Sequence, residues 1–405
     1  MRLREVIRRA AQETTHYRAM FDRIAFDPKA PFDFSDFASL TVLDRDVVRQ
    51  AGGEILSRVV PSRELRRDAT GGSSGTPTEI WLGPEERGWR ESGIEHFMRR
   101  IGIARGSGTG LLWVHHLDPL ARDGLRERAL DWIENAEWFD CLRLSPKLLD
   151  AYHARMNERP PHCIVAYAGV AGLLAERAAL GARARYPTGC FVTGAEKLHA
   201  HERALIELTY RRPVHERYGS RDVGLIGFQI DPAQSLDFEI DWANVLIECE
   251  TDTDFASVLV TKLHADGMPM IRYRVGDIAR FPAGSRPGEP VTRLAEVAGR
   301  ETDRLWLPDG RSIHGIGFPH LMKDFPIADF QVLQRRNYGV TIYVVPRGAL
   351  TGEQQRMICE TVGANLPGLE IELALVERIA RTAANKRRPV VSEVDPFAGR
   401  QSTGV

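Results

Sequence analysis

The sequence predicts an α/β protein, with a large layered N-terminal domain carrying a β subdomain and a small α+β C-terminal domain. Three observations carry that expectation. Between about residues 80 and 280, helix-periodic stretches alternate with short apolar runs, the pattern of a partly parallel sheet covered by helices. Around 245–247 and 257–262 the pattern becomes hairpin-like. The chain has 405 residues and a Pro/Gly-rich break at 282–290, whereas a single core rarely grows past about 250–300 residues.

Each element has its own signal. Val6-Ile7, Ala10-Ala11 and Tyr17-Met20-Phe21 recur at helical spacing until Pro28 and Pro31 interrupt them. The apolar run Ile80-Trp81-Leu82 follows a Thr/Ser/Gly loop. Helices are then expected over 85–101, 123–138, 147–159, 169–180 and 200–211, with buried strands over 111–116, 163–167, 190–193 and 214–218. Beyond the break, strands at 330–334, 339–345 and 369–376 surround a helix at 352–366. The expected division is 1–302 and 303–405.

Lys and Arg number 54 against 55 Asp and Glu, a formal charge of −1. That balance argues against nucleic acid or an anionic membrane as the main partner. No run reaches the 18 or so apolar residues of a membrane span, and the charged amphipathic start does not read as a signal peptide. The expected location is the cytoplasm. The cysteines, Cys141, Cys163, Cys190, Cys249 and Cys359, are odd in number and scattered, and read as buried hydrophobes in a reducing compartment. Only six residues are lysines, Lys386 among them.

Four stretches carry chemistry-bearing residue types. In Thr70-Gly71-Gly72-Ser73-Ser74-Gly75-Thr76-Pro77-Thr78, glycines allow backbone N–H groups to approach an anion and hydroxyls add donors. A plain surface turn has the same composition. In His215–Asp222 an aromatic, Tyr218, precedes Gly219-Ser220 and then a carboxylate, Asp222. The ring can stack on a base and the acid can hold a divalent cation. Ile271-Arg272-Tyr273-Arg274-Val275-Gly276-Asp277 repeats the strand–glycine–acid arrangement, with a carboxylate suited to two ribose hydroxyls. Gly299-Arg300-Glu301-Thr302-Asp303 follows the Pro/Gly break.

In this order the stretches resemble the adenylate-forming superfamily of acyl- and aryl-coenzyme A ligases, nonribosomal adenylation domains and luciferases. The phenylacetate–coenzyme A ligase branch, with its CapK-type members, is the nearer likeness. It extends from Tyr17-Arg18-Ala19-Met20-Phe21 to Ala384-Asn385-Lys386-Arg387-Arg388-Pro389-Val390-Val391-Ser392. The resemblance implies an ANL-type adenylating fold with a mobile C-terminal lid. It implies that Thr70, Ser73, Ser74 and Thr76 grip ATP phosphates, and that Tyr218 and Gly194-Ala195-Glu196 flank adenine, with Gly219 and Ser220 beside them. Asp277 and Arg300 would bind ribose, Asp222 would contact Mg²⁺, Lys386 would reach the carboxylate and α-phosphate, and Asp303 would be the hinge.

Asp222 is one methylene shorter than the family's glutamate, Gly71-Gly72 replaces Ser-Gly, and Asn385 replaces a glycine. The residues after Asp222 lack the cysteine of the structural zinc that some members of the branch carry, so no zinc is expected. His115, His116, Ala166, Tyr167 and Gly169 are candidate walls of an acid pocket roomy enough for a flat ring; the histidines read more readily as core or loop residues satisfied by backbone. The expected reaction activates a carboxylic acid, an aromatic one by preference, as its adenylate. The expected acceptor is coenzyme A or the phosphopantetheine of an acyl-carrier protein. An amine acceptor and a catalytically silent nucleotide-binding scaffold stay open, as does a homodimer.

Overall fold

The protein is described here from a computed structural model covering residues 2–69, 78–112, 125–139, 141, 144–181, 184–300, 304–308, 312–314, 318–322, 325–380 and 388–394. Contacts divide the chain into two compact units, Met1–Val297 and Ala298–Val405. The backbone passes from one to the other within the strand Glu296–Arg300.

The first unit is built on an eight-stranded sheet. Five of its strands, Thr109–Leu112, Ala136–Trp138, Cys163–Tyr167, Cys190–Gly194 and Val214–Ser220, run parallel. Their spatial order is second, first, third, fourth, fifth, the doubly wound arrangement whose crevice opens at the carboxyl ends of the first and third strands. Cys163–Tyr167 and Cys190–Gly194 are buried at every position, as parallel strands covered on both faces must be. Helices Pro146–Glu158, Ala168–Ala179 and Ala200–Tyr210 supply one apolar layer. On another face Phe97 of the helix Pro84–Arg100 stacks on Phe228 with ring centroids 5.4 Å apart.

Two sequence expectations shift. Residues 123–138 are not one helix: Leu125–Glu134 is helical, Asn135 takes a left-handed φ of 52°, and Ala136–Trp138 becomes the edge strand. Asparagine tolerates that conformation and stops helices with it. The first parallel strand is Thr109–Leu112, and residues 113–116 lie outside the described residues. Four cysteines are buried and Cys359 is half-buried. Among the described residues no helix is long and apolar enough to cross a membrane.

The β subdomain is a second sheet in which Val245–Cys249, Phe255–Lys262 and Tyr273–Arg280 run antiparallel in that order. Its keystone is Arg272, buried with a left-handed φ of 51°. The guanidinium donates to Glu248 at 2.9 and 3.1 Å and to the carbonyls of Ala38 and Leu40. Glu248 also accepts from the Gly288 N–H at 2.5 Å. One ion pair therefore fastens the N-terminal helical segment and the Pro/Gly loop to the sheet. Tyr17 adds a second tie, its hydroxyl accepting from Ile271 N at 3.0 Å and donating to Pro269 O at 3.2 Å.

In the second unit, strands Ile371–Leu375, Val340–Pro346, Ile327–Gln334 and Val390–Ser392 form a sheet in that order. The helix Gly352–Gly363 starts at a Thr351/Gln354 capping box and packs Ile358 and Val362 into the core beside Val332 and Ile342. Removing one partner of a buried ion pair leaves the other charge uncompensated, at a cost of about 3–5 kcal/mol. Arg272→Ala should lower the first unit's unfolding free energy by that order in urea titration; a loss of only about 0.5 kcal/mol, typical of a surface substitution, would contradict the keystone role.

Candidate active site

The carboxyl ends of the parallel strands gather three of the predicted segments. Register places Tyr167 beside Gly194, and Gly194 beside Arg217. A Cβ on Gly194 would lie 2.8 Å from Arg217 Cγ, so only glycine lets the two strands close there. Ala195 has a left-handed φ of 63°, and the next residue, Glu196, accepts from Gly169 N at 3.1 Å. Glu196 thus caps the helix Ala168–Ala179, whose own N-cap, Tyr167, makes no side-chain cap bond. Ala166 and Tyr167 are buried in the core under that helix.

Val214–Ser220 and Gly224–Phe228 form a hairpin, bulged between Tyr218 and Gly219. A Cβ on Gly219 would meet the Gly224 carbonyl at 2.5 Å, which explains the glycine after the tyrosine. Two reciprocal tyrosine–aspartate bonds hold this hairpin against Tyr273–Arg280. The Tyr218 hydroxyl donates to Asp277 Oδ2 at 3.0 Å, and the Tyr273 hydroxyl donates to Asp222 Oδ2 at 2.5 Å. Burial, with the neighbouring Asp222 charge, pushes the Tyr273 phenol up and keeps it a donor. Segments some fifty residues apart in the chain are therefore cross-linked at both ends. The same geometry joins the aromatic and the carboxylate picked out for adenine and ribose.

Asp222 is 2% exposed. Besides Tyr273, its Oδ2 faces Arg45 Nη2 at 3.4 Å, while Arg90 donates to the carbonyls of Arg221 and Asp222 at 2.8 and 2.9 Å. Arg90 is in turn held by Glu86 at 2.6 Å, and Glu86 also takes Lys262 Nζ at 2.8 Å. Among the described residues Asp222 belongs to no cluster of three His, Cys, Asp or Glu able to hold a metal. A buried carboxylate already bonded to a phenol and paired with a guanidinium does not fit direct Mg²⁺ coordination, which demands near-octahedral oxygen ligands. Sequence reasoning missed Arg45, Arg90, Glu86 and Lys262, whose roles arise from pairings no local pattern announces.

The Thr/Ser/Gly loop connects the paired strands Arg66–Ala69 and Glu79–Leu82; Thr70, Ser73, Ser74 and Thr76 themselves lie outside the described residues. So do His115, His116, Asp303 and Lys386. Arg300 ends the strand Glu296–Arg300 and belongs to the second unit. A polar cleft of about 780 Å³ lies elsewhere, lined by Arg4, Glu5, Arg8, Gln12 and 28–31, and none of the candidate residues borders it.

No family model matches the sequence, and no curated protein matches it. Solved structures do. The chain superposes on 2-hydroxyisobutyryl-CoA ligase in complex with R3-HIB-AMP at a TM-score of 0.72 and 18% identity, covering 98% of this chain and 89% of that one. It is also similar to anthranilate CoA ligase AuaEII in complex with anthranoyl-AMP (TM-score 0.56, 11% identity, 79% and 64% covered). ATP-bound MatB from Rhodopseudomonas palustris gives a TM-score of 0.52 at 13% identity, with 80% and 65% covered. The fold is the ANL-type adenylating fold, as the sequence implied.

Two predictions follow from the geometry. Tyr218→Phe and Tyr273→Phe each leave a buried carboxylate short of a donor, costing about 1–3 kcal/mol. Because both bonds hold one hairpin, the double variant should show a coupling of about 0.5–3 kcal/mol in a stability cycle, and strict additivity would separate the two ties. Glu216 accepts from Leu198 N at 3.2 Å, and burial pushes its carboxyl up from 4.5 to about 7. The folded protein then binds the extra proton between those values, so stability should fall as pH rises through that window. Glu216→Gln should flatten the slope in thermal melts; an unchanged slope would show that another group carries it.

Proposed function

We propose that this chain is an ATP-dependent acid–thiol ligase that activates a carboxylic acid as its adenylate and passes the acyl group to a thiol, releasing AMP and pyrophosphate. The observation that carries this reading is the Tyr218–Asp277 bond, which sets an aromatic ring and a carboxylate side by side within an adenylating fold. Similar structures with bound acyl-adenylates or ATP support it.

On this reading Tyr218 packs on adenine opposite Gly194-Ala195-Glu196, with Gly219 and Ser220 lining its edge. Asp277 accepts from both ribose hydroxyls, with Arg300 assisting. Thr70, Ser73, Ser74 and Thr76 bind phosphate oxygens. Attack of a carboxylate on the α-phosphate brings two anions together, so a cation at the reacting oxygens lowers the barrier. Lys386 is that cation, and residues 303–405 form the lid that presents it, turning at Asp303 between half-reactions. Magnesium enters with ATP, and no step is assigned to a metal on Asp222.

The acid is an aromatic one, as in the phenylacetate–coenzyme A ligase branch. On this reading Tyr167 and Gly169, at the end of the third parallel strand and the start of the helix that follows it, wall the acid pocket with Ala166, His115 and His116. Coenzyme A is the preferred acceptor; a carrier-protein phosphopantetheine uses the same thiol chemistry.

Carboxylate-dependent exchange of pyrophosphate into ATP, across a panel of aromatic and aliphatic acids, tests this directly. Exchange with at least one acid, weakened by at least about tenfold in Asp277→Ala through loss of charged hydrogen bonds, is the expected result. Lys386→Ala should abolish exchange while a pre-formed acyl-adenylate still reacts with the thiol. No exchange with any acid would favour a silent nucleotide-binding scaffold instead.

A further inference from the structure

We propose that Arg45, rather than a divalent cation, is the counter-charge of Asp222, and that its open guanidinium edge supplies a direct cation to the phosphates of the bound nucleotide. The inference rests on the nucleotide reading above only for its second half.

The geometry of Arg45 is set by the backbone. Leu43 bridges Tyr273 in parallel register, with Leu43 N donating to Arg272 O at 3.1 Å and Arg274 N to Leu43 O at 2.8 Å. Asp44 then caps the helix Arg45–Ala51 by accepting from Val47 N at 2.8 Å. The residue after a fixed bridge and at the start of a capped helix has little freedom of direction. Its Nε lies 3.4 Å from the Tyr273 hydroxyl and its Nη2 3.4 Å from Asp222 Oδ2. One side of the guanidinium is thereby occupied. Among the described residues Nη1 has no hydrogen-bond partner, and the side chain is 23% exposed. A guanidinium keeps its charge at every working pH and prefers planar, forked contact with phosphate oxygens.

Charge at the hairpin points the same way. Arg45, Arg90 and Lys262 stand against Asp222 and Glu86, so each buried carboxylate at the turn already has a cation beside it. The outer pair, Arg221 and Asp68 at 3.8 Å, is balanced in itself. A divalent cation on Asp222 would approach Arg45 in a partly desolvated site, where like charges repel more strongly than in water. The shorter aspartate side chain also keeps the carboxylate in the wall, bonded to Tyr273, rather than out in the crevice.

The test uses the full chain in two arms. Mn²⁺ binding to the nucleotide-free protein, followed by electron paramagnetic resonance, should show no site that Asp222→Asn removes. A Mn²⁺ site lost in that variant would overturn the proposal. In the second arm, ATP binding is measured calorimetrically in EDTA. Arg45→Met should weaken binding roughly ten- to a hundredfold, the loss of a charge-assisted contact, and Arg45→Lys should recover most of it. Equal affinity in wild type and a folded Arg45→Met protein would overturn the phosphate contact. If Arg45→Met does not fold, Arg45→Lys is compared with wild type alone, and a loss as large as removal of the charge would count against the proposal. Wild type that binds no ATP with or without Mg²⁺ would sink the nucleotide reading, while the Mn²⁺ arm still decides what neutralises Asp222.

Discussion

Two hydrogen bonds of opposite sense, Tyr218 to Asp277 and Tyr273 to Asp222, fix the candidate site. They join the hairpin at the end of the parallel sheet to Tyr273–Arg280, an inner strand of the β subdomain's sheet, so the candidate site has walls from two sheets whose relation is set by buried phenol–carboxylate contacts. Each bond is charge-assisted and shielded from water, the condition in which a hydrogen bond contributes most and its loss costs most. A ring and a carboxylate held this way would meet a ligand without first having to be ordered, which is how a pre-formed site saves conformational entropy on binding.

What lies behind the hairpin keeps it rigid. Asp266 accepts from the Glu85 and Glu86 N–H groups at the start of the helix Pro84–Arg100, which positions Glu86 to hold Arg90 and Lys262. Arg90 grips the two carbonyls at the hairpin's tip. Burial pulls the Lys262 ammonium down and the Glu86 contact opposes that shift, as expected where a cation is retained inside a protein only by a carboxylate partner. Such a network adds little net stability; what it supplies is a single position for the backbone of Arg221 and Asp222.

The sequence was most legible where chemistry and geometry coincide in a short segment. Tyr218 and Asp277 were each singled out from an aromatic or acid beside a glycine turn, and they are hydrogen-bonded to one another. The alternation of helices and buried strands likewise yields the doubly wound core. Ala136–Trp138 was hidden because a three-residue strand leaves no period to detect, although Asn135 marks the end of the preceding helix. Asp222 was read for its carboxylate alone. Its partner Arg45 lies 177 residues earlier, outside every stretch singled out for its chemistry. Only the fold discloses that pairing, and it changes the chemistry assigned to the acid.

The central claim is that the Tyr218–Asp277 pair forms one half of a nucleoside site. Calorimetric titration with AMP and with its dideoxyribose analogue measures it most directly. Wild type should bind AMP more tightly than the analogue, and Asp277→Asn should lose most of that preference because the charged acceptor of the ribose hydroxyls is gone. Equal binding of the two nucleotides by wild type, or an undiminished preference in Asp277→Asn, would contradict the account.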